Sequence, residues 1–239
     1  MIGTLYLVPN LLGVAAPTDV LPARTIRLAQ ALNHFIVETP KVARAFLKTL
    51  SPDRVIADIS ITACDPLPQA KAQCAAWLKA GIDVGVISDA GCPGMADPGA
   101  AFVALAHTSA IGATVVPLVG PSSVLLGLMA SGFDGQQFAF HGYLPSKPPE
   151  RDAALRALER QVQTTGSTQI FIETPYRNAA MLSALRNVAA ANTHLCIAQN
   201  LGAEGETICA RAAGAWTETD RDRFMIKVPT LFLLGKPQG

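Results

Sequence analysis

Residues 81 to 106 constrain the fold more than any other stretch of the chain. GIDVGVIS, starting at Gly81, is an apolar run of strand length that reads as buried. It runs into ISDAGCPGMADPG (87 to 99), which carries Gly91, Pro93, Gly94 and Gly99, and apolar residues resume at helical spacing from Ala100 to Ala106. A strand, a glycine-rich loop and a helix in that order are the start of a crossover, so a parallel or mixed sheet covered by helices is expected. Ligands of such sheets bind just past the carboxyl ends of the strands, where glycine lets a ligand touch the backbone.

The loop narrows the choice of ligand. It has no Gly-Lys-Ser/Thr ending to hold β- and γ-phosphates, and its glycines do not fall as GxGxxG. Triphosphates and dinucleotides are therefore disfavoured. Asp97 before Pro98 reads as a helix N-cap and first helical residue. Asp89 has no such role and is expected to contact either a ligand or the loop backbone.

The same alternation runs along the chain. Strands are expected at 4–9, 34–38, 114–119, 137–142, 168–173, 194–199, 206–211 and 230–234, and helices at 24–32, 42–50, 69–80, 124–131, 150–162 and 177–190. The last two strands are expected to run antiparallel to each other. Gly120-Pro121 joins the first set of elements to a second set with more hairpin character, which places a domain boundary there: 1–119 and 120–239.

With 239 residues, half of them hydrophobic, the chain can bury a large core. The formal net charge is +1 with scattered basic residues, so the footprint of a stand-alone nucleic-acid binder is missing, although a large RNA can still be met through local patches. Five dispersed cysteines form no CxxC and the four histidines are not paired at ligand spacing, which argues against a metal site and suits a reducing compartment. Neither a signal-type N-terminus nor an apolar run of membrane-spanning length is present. A cytoplasmic protein with no membrane contact is expected.

Three further segments carry polar groups at strand ends. GPSS (Gly120 to Ser123) opens a helix, with Ser122 or Ser123 either capping it or meeting a carboxylate there. IETPYR ends an apolar strand with Glu173, which must be paired, with Arg177 as the nearest cation, or serve a site. His141, beside Gly142, is either a hydrogen-bonding residue or a base. Pro9, Asp89, Gly91, Ser122, His141 and Glu173 are expected to share one rim.

GTLYLVP, ISDAGCPGMADPG, VGPSSVLLGLMASG, FAFHGYLP, FIETPYR and VPTLFLLG stand in the order seen in the tetrapyrrole methylase superfamily of S-adenosylmethionine-dependent methyltransferases. The chain resembles most its ribosomal RNA small subunit methyltransferase I branch. That resemblance implies two α/β domains with mixed sheets, S-adenosyl-L-methionine in the cleft between them, and a homodimer. Carried over by position, it implies a cofactor site lined by Pro9, Gly91, Cys92, Pro93, Gly94, Met95, Ser122, Ser123, Pro229 and Thr230, to which Asp89 is added as a cofactor contact from its place at the strand end. VETPK (Val37 to Lys41) stands where the branch typically has a CEDTR-like segment, and QNLGA (Gln199 to Ala203) where it has RELTK. Glu173, His141 and Arg177 are the candidates to deprotonate or orient the acceptor. A ribosomal RNA 2'-hydroxyl is the first acceptor class; a tetrapyrrole or other small molecule, or cofactor binding without turnover, stays open.

Overall fold

Val84-Gly85-Val86-Ile87 is buried along its whole length, the pattern of a strand covered on both faces. In the computed structural model this strand, β4 (Val84–Ile87), is the centre of a five-stranded sheet. The structure describes residues 1–217, 219–220 and 227–237. The chain divides into two compact units, Met1–Ser122 and Ser123–Gly239.

The first unit orders its strands β3-β2-β4-β1-β5, every pair parallel: β1 (Leu5–Val8), β2 (His34–Val37), β3 (Ser60–Ala63), β4 and β5 (Val115–Pro117). Side chains alternate between the two faces, as the strand period requires. Phe35, Val37 and Val8 join α2 (Ala23–Ala31) and α3 (Pro40–Leu50) in one apolar cluster, after the short α1 (Pro17–Val20). Ile36, Val84 and Val86 join α4 (Leu67–Lys79) and α5 (Gly99–Ala106) in the other. β4 is thus followed by a helix on one face, while its neighbours β1 and β2 are followed by helices on the opposite face. Such a reversal opens a crevice at the carboxyl ends of the strands, here at the loop after β4.

The second unit holds a mixed sheet ordered β6-β7-β10-β8-β9: β6 (Phe138–Tyr143), β7 (Thr168–Glu173), β8 (His194–Gln199), β9 (Thr207–Ala212) and β10 (Thr230–Gly235). β6 and β7 are parallel, and β10 is antiparallel to both β7 and β8. The expectation for the last two strands is corrected: β9 and β10 do not pair but flank β8, each antiparallel to it. Two strands antiparallel to a common neighbour run parallel to each other. α7 (Pro148–Thr165) and α8 (Asn178–Val188) cover one face through Leu155, Leu158, Val162, Leu182 and Leu185, over a stacked Phe171–Phe232 pair with ring centroids 5.4 Å apart. α6 (Ser123–Ser131) packs on β10 and β9.

Candidate functional site

The loop after β4 is built around Asn10, a buried residue that the sequence reading did not single out. Its amide nitrogen donates to the carbonyls of Ser88 (3.1 Å) and Asp89 (3.0 Å), its backbone N–H donates to Gly91 O (2.9 Å), and its Oδ1 accepts from Leu11 N (2.8 Å). One side chain therefore ties the ends of β1 and β4 together and leaves few buried backbone groups unpaired. Gly91 and Gly94 take left-handed φ of 65° and 87°, which only glycine adopts freely. A Cβ at Gly91 would also lie 3.0 Å from Leu12 Cδ2. Ala96 holds a left-handed φ of 66° without being glycine, a small local strain in the loop.

The remaining cofactor candidates of the first unit gather around this loop. Pro9 is buried against Gly120, where any Cβ would fall 2.3 Å from its ring. Cys92 donates its thiol to Pro121 O at 3.3 Å; burial first, then the charge of Asp97, pushes its pKa up and keeps it protonated. Pro93 is buried, Met95 is exposed, and Ser122 lies half-buried before the first residue of α6, Ser123.

Asp89 contacts loop residues. Its two carboxylate oxygens accept from Thr39 N (3.0 Å) and Thr39 Oγ1 (2.7 Å), while Asp89 N donates to Glu38 Oε2 (2.9 Å). Glu38 and Thr39 belong to VETPK, so this segment clamps the glycine loop from the end of β2. Asp97 does not cap α5: the residue ahead of that helix is Pro98, and no side chain caps it. The Asp97 carboxyl instead feels the charges of Glu38 and Asp89. Burial, then the charges of Glu38 and Asp89, outweigh a hydrogen bond from Ser88 and raise its pKa to about 6. Among the described residues no ion pair engages these three acids, and no group of His, Cys, Asp or Glu is placed to hold a metal.

In the second unit the end of β7 carries a connected polar set. Glu173 Oε1 accepts from Thr174 N (2.6 Å) and from Arg177 Nε (2.8 Å) and Nη2 (2.6 Å). The carboxylate is buried and the guanidinium about one-third exposed, so the pair anchors the turn that enters α8. Thr230 sits opposite both Glu173 and Gln199 in the sheet register. Its hydroxyl accepts from Asn178 Nδ2 (2.8 Å) and Gln199 Nε2 (2.8 Å) and donates to Val228 O (3.0 Å), with exposed Pro229 between. Thr230, on the central strand, is thus a buried hub of this set.

His141 stands apart from that set. Its Nε2 is 2.7 Å from Gln169 Oε1, and Gln169 turns its amide nitrogen to Ser167 O (3.0 Å). The imidazole therefore carries its proton on Nε2 and leaves Nδ1 as an acceptor. Gln169 and Glu173 are four residues apart on one extended strand, about 13 Å. His141 thus bonds Gln169 rather than Glu173, and the β6–β7 register shifts between Phe140 and Tyr143, around the histidine.

Residues 11–214 match the Tetrapyrrole (Corrin/Porphyrin) Methylases. The chain is 32% identical over 199 residues to the ribosomal RNA small subunit methyltransferase I of Bacillus subtilis (strain 168), covering 78% of this chain and 60% of the relative. It is 29% identical over 225 residues to the protein of the same name from Escherichia coli O157:H7, covering 92% of this chain and 74% of the relative. The chain thus spans about 60% of the length of the Bacillus relative. The crystal structure of uroporphyrin-III-C-methyltransferase from Thermus thermophilus superposes with a TM-score of 0.60 over 99% of this chain and 93% of that one, at 17% identity, a likeness of fold.

Proposed function

The chain belongs to the Tetrapyrrole (Corrin/Porphyrin) Methylases, and from that premise we propose that it is an S-adenosylmethionine-dependent methyltransferase acting on a 2'-hydroxyl of ribosomal RNA. The acceptor follows the names of its relatives. The cofactor follows the chemistry of the β4 loop, the observation that carries the reading. Residues 88–99 contain no lysine or arginine, and Glu38, Asp89 and Asp97 stand together there with no ion pair among the described residues. Such a loop repels phosphate and favours a ligand with ammonium and sulfonium charges. Gly94, half-buried with a left-handed φ, lets a nucleoside approach the backbone, while buried Gly91, its carbonyl taken by Asn10 N, shapes the turn beside it.

Pro9, Gly91, Cys92, Pro93, Gly94, Met95, Ser122 and Ser123 would hold the cofactor, with Asp89 shaping the loop through Thr39; Pro229 and Thr230 are the candidates from the second unit. When bound, the cofactor supplies an electrophilic methyl group on sulfur. The protein's own contribution is largely positioning, worth several kilocalories per mole when nucleophile and methyl are held near attack distance. His141, with Nδ1 free to accept, is the candidate to take the acceptor proton, and Glu173 with Arg177 holds the turn between β7 and α8. A second copy of the chain is the proposed partner and the cytoplasm the proposed compartment, the latter supported by five free thiols. No helix among the described residues is long and apolar enough to cross a membrane.

The test combines calorimetry with S-adenosylhomocysteine, expected to bind at roughly micromolar affinity, with methyl incorporation from labelled cofactor into small-subunit ribosomal RNA and, separately, a porphyrin. Incorporation into the porphyrin alone replaces the acceptor. Binding with no incorporation into either leaves a binding module.

A further inference from the structure

We infer that Tyr176, flanked by Lys227, is a stacking platform on which the second unit takes an unpaired nucleotide of its RNA acceptor; the inference rests on the RNA reading above. Tyr176 lies in the turn between β7 and α8 and is 80% exposed, an aromatic ring presented to solvent. The turn that carries it is tightly fastened. Thr174 N and the Arg177 guanidinium both bond Glu173 Oε1, and Arg177 N closes the turn onto Thr174 O at 2.9 Å. A ring held on a rigid turn loses little conformational freedom when it binds.

The cation beside it comes from a separate segment of the chain. Lys227 Nζ lies 5.4 Å from the centroid of the Tyr176 ring, within reach of a cation–π contact. Its neighbour Val228 accepts from Asn178 Nδ2 at 3.0 Å, which ties the lysine's backbone to the residue two beyond the tyrosine. Glu173 already neutralises Arg177, whereas Lys227 has no carboxylate partner among the described residues. Tyr176 and Lys227 together present one aromatic face and one positive charge with no carboxylate partner among the described residues.

That combination matches the elements of a single-stranded nucleotide. Every base has a face to stack, its phosphate carries the negative charge, and a base locked in a duplex exposes no face. A peptide would supply the ring contact but needs an acidic group for the lysine, and is treated below as the competing occupant.

The experiment measures binding of a fluorescein-labelled single-stranded RNA decamer by anisotropy, beside S-adenosylhomocysteine binding and thermal unfolding as controls of integrity. Tyr176→Ala should weaken RNA binding about five- to a hundredfold, the loss of one stacked base, with cofactor affinity and melting temperature unchanged. Tyr176→Phe should bind within about twofold of the wild type, because the face and not the hydroxyl is used. Lys227→Ala should reduce the slope of log affinity against log salt by about 0.7, one single-strand phosphate contact. The duplex of the same sequence should bind more weakly. Tyr176→Ala binding RNA like the wild type overturns this inference and leaves the RNA reading standing; equal losses for the alanine and phenylalanine variants overturn it too. An acidic peptide that binds as tightly and competes with the RNA for Tyr176 overturns the choice of occupant. A wild-type chain that binds the cofactor analogue but not the RNA removes the RNA reading and this inference with it.

Discussion

Replacing Glu173 by glutamine separates an anchoring carboxylate from one that moves a proton. Oε1 of Glu173 accepts three donors, two of them from the Arg177 guanidinium, with its side chain 2% exposed. Glutamine keeps the shape and an acceptor oxygen but turns two ion-pair hydrogen bonds into bonds between a cation and a neutral amide, a loss of about 1 kcal/mol each. The total is about 2 kcal/mol, below the 3–5 kcal/mol or so of stranding a fully buried charge, because Arg177 is one-third exposed and can rehydrate. For a chain of this size that corresponds to a fall in melting temperature of about 4–8 °C. Calorimetric unfolding of the wild type, Glu173→Gln, Arg177→Met and the double variant checks it. The double variant should be less destabilised than the sum of the singles, since both remove one interaction. The reasoning is refuted if Glu173→Gln melts with the wild type while methyl transfer falls a hundredfold or more, which would assign the carboxylate to the proton.

Asp97→Asn should stabilise the protein at neutral pH. Burial lifts the Asp97 pKa from 3.8 to about 6 in the folded chain, so between those values the native state holds a proton that the unfolded state has lost. Its contribution is complete below about pH 4 and disappears as pH rises through about 6; a stability gain for the variant that fails to shrink between pH 7 and pH 4 would contradict this. Gly91→Val should abolish S-adenosylhomocysteine binding, because the left-handed φ and the 3.0 Å approach to Leu12 leave no room for a branched side chain; retained affinity by calorimetry would remove the loop from the cofactor site. Sedimentation should give a dimer at micromolar concentration, consistent with a chain in which only 15% of residues are charged; a monomer would count against it.

Apolar period and glycine punctuation made most elements legible before any coordinates. β7 and β8 fall at the expected residues, and the helices at 24–32, 42–50 and 124–131 appear within a few residues of those limits. β3 escaped because Ser60-Ile61-Thr62-Ala63 is a four-residue edge strand with an exposed start, too short and too polar to show a period. α7 runs past the expected 150–162 at both ends because Pro148 suits a first helical turn and Gly166 provides the left-handed stop. The six ordered motifs also sufficed for the family, since each reflects a local backbone requirement that survives in the sequence itself.

Strand order and long-range pairing lay beyond such reading. Nothing in residues 207–235 says that β10 inserts between β7 and β8 and keeps β9 from touching it, because each strand's alternation fits either neighbour equally well. The same holds for the polar groups. Asp97 and Pro98 have the local form of a helix start, yet α5 begins at Gly99 with no side-chain cap, and the Asp97 carboxyl feels Glu38, 59 residues away in the chain. Asn10 resembled an ordinary loop residue until Ser88, Asp89 and Gly91 closed around it. Local patterns determine which segments are strands, helices and turns; which side chain completes a site is set by contacts between residues that only the folded sheet brings together.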